Sequence, residues 1–256
     1  MNTAIHAVTI SRRYCGPPNS GNGGYVCGLL ARHIPGSAEV TLRAPPPLEK
    51  VLHSTPKDDG TWELRDGATV VAIGRPLPLE MTRVETASLE EAAAAEKNPV
   101  IKASEHLLPM CFVCGPERAP SDGLRIGVGP LKRRAEDGTI VHAATWTPAA
   151  DLSAGDGFVA PEFLWSALDC PTGCAITYDP ATDGFDGAPV LLGRLIARID
   201  NRPRAGERCV ITAWETGREG RKRLAECAAF GEAGQLLAVA KATWIVVDRQ
   251  VQLGRS

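Results

Sequence analysis

Pro17-Pro18-Asn19-Ser20-Gly21-Asn22-Gly23-Gly24-Tyr25 runs a glycine-rich loop into an apolar stretch. Ala160-Pro161-Glu162-Phe163-Leu164-Trp165-Ser166-Ala167-Leu168-Asp169 reads as a helix whose last residue is a carboxylate. The first stretch has the glycines and no acid. The second has the acid and no glycines. If two units of one fold pair, the two stretches complete each other.

Working outward, each stretch is set in the same layout. Residues 4–11 are rich in β-branched side chains and read as a strand. The loop 15–24 follows, then a short helix over 25–33 ended by Pro35-Gly36. Extended runs come next at 38–44, 48–54, 61–65 and 68–74, with Asp59-Gly60 and Asp66-Gly67 as hairpin turns. In the second half, 124–131 and 139–147 read as strands, and a helix begins near Pro161, a residue suited to a first turn. Extended runs at 189–200, 207–217, 221–230 and 235–248 follow; the alternation in Leu195-Ile196-Ala197-Arg198-Ile199 is that of a half-buried strand. Between the halves, Ser88 and Glu91 have capping-box spacing before an alanine-rich helix without an apolar stripe. The expected organisation is a first unit over 1–77, a connector over 78–110 and a second unit over 111–256. The repeat rests on layout, since the halves share little direct identity.

Composition narrows the classes. Hydrophobic residues make up 44% and charged residues 23%, as in ordinary globular chains. A net charge of -2 gives no reason to expect nucleic acid or a membrane surface as partner. The start has no positively charged segment before an apolar core, and no apolar run is long enough to span a bilayer, so a cytoplasmic protein is expected. The eight cysteines then read as free thiols.

The layout and its loop–helix signatures resemble the hotdog fold, specifically acyl-CoA thioesterase-type proteins with two hotdog units in one polypeptide. Asn19 to Gly24 is similar to that family's Asn-x-x-Gly-x-His-Gly-Gly stretch, with Asn22 where His is usual. The family's central helix carries an acid nine residues after the His position. Counting from Ala160, that place is Asp169; counting from Asn22, it is Ala31. Cys111-Phe112-Val113-Cys114-Gly115 with Asp122-Gly123-Leu124 is similar to the opening of many such units, and 192–195 and 240–244 to their later strands. Departures are the missing His, Ala-Pro-Glu in place of His-Gly-Gly, and Pro171 just after the acid. The resemblance implies an α+β fold, each unit an antiparallel sheet wrapped round a central helix. It implies hydrolysis of an acyl-CoA thioester at a composite site, with no cofactor, in a protein that pairs further as a homodimer. A non-catalytic binder of acyl ligands is the alternative; a hydratase is a third, disfavoured by the missing His.

The residue chemistry fits the first of these. Free N–H groups at a helix start stabilise a developing oxyanion, and glycines there allow close approach. Gly23 and Gly24 suit that role, or simply a tight turn. Asp169 would be the general base for water or the attacking carboxylate. It lies off the apolar stripe of Ala160, Phe163, Leu164, Ala167 and Leu168, on a face shared with Glu162 and Trp165. Pro171 is expected to end or kink the helix near 170, leaving the acid at a helix C-terminus. Asn19 and Asn22 would hold water or the carbonyl, or cap the helix. Arg194, Arg218, Arg221 and Arg223, on or between late strands, are candidates for the CoA phosphates, with Arg194 and Arg221 foremost and Trp165 on the same site. Cys111-x-x-Cys114 is half of a zinc site; Cys170 and Cys174 would have to complete it, and they are expected to lie apart from it, so no metal is assigned. Cys15 and Cys27 are candidate nucleophiles without a nearby His.

Overall fold

The computed structural model describes residues 5–254. The first unit comprises β1 (His6–Thr9), α1 (Gly23–Ala31), β2 (Ala38–Leu42), β3 (Val51–Pro56), β4 (Trp62–Asp66) and β5 (Thr69–Pro76). A connecting segment holds α2 (Leu89–Ala95). The second unit comprises β6 (Gly129–Arg134), β7 (Ile140–Trp146), α3 (Pro161–Ile176), the short pair β8 (Tyr178–Asp179) and β9 (Gly184–Phe185), then β10 (Val190–Ile199), β11 (Cys209–Glu219), β12 (Lys222–Phe230) and β13 (Leu236–Val246). A last turn of helix, α4, spans Arg249–Gln252.

The long strands form one antiparallel sheet of eleven, in the order β1-β3-β4-β5-β2-β10-β13-β12-β11-β7-β6. The units meet where β2 pairs with β10, with Val40 opposite Leu195 and Ala38 opposite Ala197. All four of these side chains are buried, so the seam is closed by apolar packing as well as by backbone hydrogen bonds. Each unit therefore donates an edge strand to the other, and neither edge is left open to water.

The α1 and α3 helices lie on one face of this sheet and pack against each other. Gly24 and Gly28, one turn apart, allow it: a Cβ at 28 would stand 2.5 Å from Glu162 Cα, and one at 24 would stand 2.7 Å from the Trp165 carbonyl oxygen. Pairing of Gly24 with Asp169 and Gly28 with Glu162 means that the helices run antiparallel. The face of α3 bearing Glu162, Trp165 and Asp169, left ambiguous by the apolar stripe, is the face that meets α1.

The opposite sheet face is covered in the second unit by the connecting segment. Ala92 and Ala95 of α2 pack with Leu131, Val141, Val210, Trp214 and Phe230 in a second apolar cluster. The helix has the expected capping box between Ser88 and Glu91; its small residues suffice because they sit flat on a sheet.

Two local expectations are corrected. The α3 helix does not stop at Pro171 but continues to Ile176, with the proline inside it. Residues 174–176 are buried in the core, and that burial offsets the roughly 3 kcal/mol cost of an internal proline. Asp169 is consequently well inside the helix, not at its C-terminus. The expected strand at 124–131 begins only at Gly129; Leu124 and Ile126 instead donate hydrogen bonds to the carbonyls of Phe112 and Val113. The β8–β9 pair was not foreseen, since each of its strands is too short to show a period.

Candidate active site

The site lies where the N-terminus of α1 meets the middle of α3. Asn22 caps α1: its side-chain Oδ1 accepts the Tyr25 N–H at 2.9 Å. That cap fixes the Asn22 side chain so that its Nδ2 points the other way and donates to Asp169 Oδ2 at 3.0 Å. The Gly24 N–H donates to the same oxygen at 2.8 Å. Asp169 is 1% exposed, and its other oxygen, Oδ1, has no partner among the described residues.

Burial pushes the Asp169 carboxyl up to about 7. The two donors pull it down, and charge on nearby Cys111 pushes it further up. The cause is therefore desolvation between two helices, not the helix-end dipole that a stop at Pro171 would have supplied.

A cavity of about 430 Å³ opens beside this pair. Its wall includes Asn22, Gly23, Asp169, Leu192, Gly173 and Trp244, so it draws on both units. Among the described residues the Gly23 N–H makes no hydrogen bond, as expected for the first residue of a helix. A Cβ at Gly23 would lie 2.9 Å from Leu192 Cδ2, so a side chain there would have to push that leucine aside. Trp244 is held in place by its indole N–H, which donates to Thr172 Oγ1 at 2.8 Å.

Four of the sequence candidates thus come together: Asn22, Gly23, Gly24 and Asp169. Their parts differ from the simplest expectation, because the Gly24 amide is already taken by Asp169. Gly23 is the one left to face a ligand. Asn19 is exposed and does not line the cavity. Trp165 is buried in the helix–helix contact, outside the cavity wall. Arg194 is occupied by Glu39 and by Thr41 Oγ1. Arg221 is exposed in the turn before β12 and does not line the cavity.

The reciprocal position, where Ala31 and Glu162 stand, is occupied by an ion pair between Glu162 and Arg32. Cys27 is wholly buried, and burial holds its thiol well above the ordinary range, which suits packing rather than attack. Cys15 is buried too, and its sulfur accepts a hydrogen bond from Arg118.

Two features escaped the sequence reading. Arg43, just after β2, lies in the cavity wall, is exposed and makes no ion pair among the described residues. Its only sequence signal is a lone cation before a proline run. The second is a cysteine cluster. Cys111, Cys114 and Cys170 bring their sulfurs within 4.8 Å of one another, so Cys170 does not lie apart from the first pair as expected. Hydrogen bonds from the Cys114 and Cys170 thiols hold Cys111 well below the usual thiol range.

With two hotdog units sharing one sheet across β2 and β10, the fold defines the chain as a double-hotdog protein. Solved structures of the same architecture cover nearly all of it. A tesB protein from Mycobacterium avium subspecies paratuberculosis aligns with a TM-score of 0.59 at 10% identity, covering 97% of this chain and 95% of its own. The acyl-CoA thioesterase II TesB2 from Mycobacterium marinum aligns with a TM-score of 0.57 at 12% identity, covering 95% and 93%. A hot dog fold protein of unknown function from Alicyclobacillus acidocaldarius aligns at 0.56 and 13% identity, covering 97% and 95%. No protein-family model and no curated protein matches the sequence. No helix among the described residues is long and apolar enough to cross a membrane.

Proposed function

We propose that the protein hydrolyses an acyl-CoA thioester in the cavity between its two units. The observation that carries the reading is Asp169, a buried carboxylate with one oxygen anchored by Asn22 and Gly24 and the other without a partner, in the wall of a cavity shared by both units. The free oxygen takes a proton from water as that water attacks the thioester carbonyl. The negative charge forming on the carbonyl oxygen is met by the Gly23 N–H at the positive end of α1. Collapse of the adduct expels the CoA thiolate and leaves the free acid. Anchoring of Oδ2 holds Asp169 in one rotamer, so the base is positioned before substrate arrives. Arg43 supplies the positive charge for a phosphate of CoA, in place of Arg194 and Arg221.

Support comes from the similar Mycobacterium marinum structure, named as an acyl-CoA thioesterase II, and from a wall with apolar Leu192, Val190 and Trp244 to receive an acyl chain. The test is thiol release from a panel of acyl-CoAs by wild type and by Asp169→Asn. Release by wild type that is lost in the variant supports the proposal. Ligand binding without turnover by wild type overturns it in favour of a binding protein on the same fold.

A further inference from the structure

The geometry points to a zinc site built from the thiolates of Cys111, Cys114 and Cys170, with its fourth position open to the cavity that Asp169 lines.

Four observations carry it. The first is distance. Cys111 Sγ and Cys170 Sγ are 3.7 Å apart, and all three sulfurs lie within 4.8 Å of one another. Zn–S bonds of about 2.3 Å in a tetrahedron place sulfurs about 3.8 Å apart. The triangle is thus already near the size of one face of a zinc tetrahedron.

The second is the loop that presents two of the sulfurs. Cys111 to Gly115 closes a tight turn, with the Gly115 N–H donating to the Cys111 carbonyl at 2.9 Å. Only glycine fits there, because a Cβ at 115 would stand 2.5 Å from that carbonyl oxygen. The loop is pinned to the first unit by the Phe112 N–H, which donates to the Cys15 carbonyl at 2.7 Å. A two-residue spacing followed by glycine, fixed at its ends, is how metal-binding cysteine turns are made. The third sulfur comes from α3, 56 residues on from Cys114 in sequence and delivered by the same rigid helix as Asp169.

The third is the surroundings. Asn22 Nδ2 lies 3.8 Å from both Cys111 Sγ and Cys170 Sγ. An N–H donor directed at metal thiolates is the usual outer support of such sites. Cys111 is 2% and Cys170 7% exposed, so a cation there is shielded from water on the protein side.

The fourth is the open side. All three cysteines line the cavity, and so does Cys174, one turn beyond Cys170, but its sulfur is not part of the triangle. Three protein ligands with a vacant place toward a ligand cavity is the arrangement of zinc sites that bind exogenous groups, whereas purely structural sites are closed by four. Binding the ion releases the remaining thiol protons to solvent, and three thiolates with one Zn²⁺ leave a net charge of minus one. This inference does not depend on thioester hydrolysis; it concerns the ion alone.

The test is spectroscopic and uses the whole reduced chain. Co²⁺, which takes the same ligands as zinc, is titrated into metal-stripped protein, and the sulfur-to-cobalt charge-transfer band is followed; zinc is then added in competition. The expected result is one equivalent of Co²⁺ with a thiolate band, displaced by zinc. Cys114→Ser, the least buried of the three, should weaken binding by on the order of 100-fold. Cys209→Ser, buried elsewhere in the core, should leave the titration unchanged, and Cys174→Ser should retain the band. No band in the wild type overturns the site, whatever the variants do. An equal loss in Cys209→Ser overturns the ligand set, and loss of the band in Cys174→Ser overturns the open fourth position.

Discussion

The Gly24 N–H of the first unit donates to Asp169 Oδ2 of the second at 2.8 Å, and a Cβ at position 24 would stand 2.5 Å from Asp169 Cβ. The glycine and the acid are therefore one device: the missing side chain lets the carboxylate in, and the amide holds it.

Gly24→Ala breaks that device on both counts. The added methyl has no flexible side-chain end to push aside, because its neighbours are the Asp169 stem and the Trp165 carbonyl. Destabilisation of about 1–3 kcal/mol by overpacking is expected, together with loss of thiol release. Gly217→Ala, whose Cβ would meet nothing nearer than 4.0 Å, serves as control. Denaturant midpoints of the two variants check this, and equal midpoints would reject it.

Asp169→Asn keeps an acceptor for Gly24 and Asn22 but cannot take a proton. We expect thiol release to fall by about 100- to 10,000-fold with the fold intact, since a buried neutral amide replaces a carboxyl that burial already disfavours as an anion. A variant that hydrolyses acyl-CoA at the wild-type rate removes Asp169 from the chemistry.

Asn22 has two jobs that substitution separates. Asn22→Asp keeps the cap on the Tyr25 N–H but exchanges the donor facing Asp169 for a second carboxylate, 3.0 Å from Oδ2 in the parent arrangement. Asn22→Ala loses both, with about 1 kcal/mol of cap stability. Both variants should melt lower and hydrolyse less: Ala through loss of the cap, Asp because a second buried carboxyl beside Asp169 is disfavoured as an anion while the cap is kept. If Asn22→Asp matched wild type in rate, the amide would have no part in positioning Asp169.

How much of this was legible beforehand depends on the kind of evidence each residue leaves. Strands such as β11, where Cys209, Ile211 and Ala213 face one cluster while Val210 and Trp214 face another, declare themselves by period, and so did the layout of two units. The loop of Asn22 to Gly24 and the acid at 169 were visible because glycine and carboxylate are rare in such settings. Which amide was used and which was free was not visible, because that turns on the antiparallel crossing of α1 and α3. Pro171 misled because local propensity says nothing of the burial around 174–176. The sulfur of Cys170 joined Cys111 through tertiary packing alone, and Arg194 was spent on Glu39, a partner distant in sequence.

Arg43 is expected to act on binding rather than on the chemical step. Arg43→Ala should raise KM for acyl-CoA several-fold with kcat little changed, an effect that shrinks as salt rises. Arg221→Ala should do neither. Steady-state kinetics at two ionic strengths decide it; a fall in kcat at unchanged KM would count against a phosphate contact.

His142 makes the fold acid-sensitive. Burial lowers it to about 4 from an ordinary 6.5, against weaker opposing pulls from the Ala213 backbone and Asp183. Between these values the unfolded chain binds a proton that the folded chain does not, so stability falls as pH drops from about 6.5 to about 4, by on the order of 3 kcal/mol. Above pH 6.5 this residue contributes no slope. Unfolding free energies at several pH values for wild type and His142→Gln check it: the slope should flatten in the variant, and an unchanged slope would assign the acid response elsewhere.

The pairing of β2 with β10 has a further consequence. Two separate hotdog chains would have to find each other before Gly24 could reach Asp169, and dilution would pull them apart. Here the tether makes that encounter intramolecular, at an effective concentration no cell needs to supply, and frees the halves from having to be identical. The two sides in fact differ: where Ala31 and Glu162 stand, Glu162 pairs with Arg32, while on the other side Gly24 holds Asp169, an arrangement independent of protein concentration.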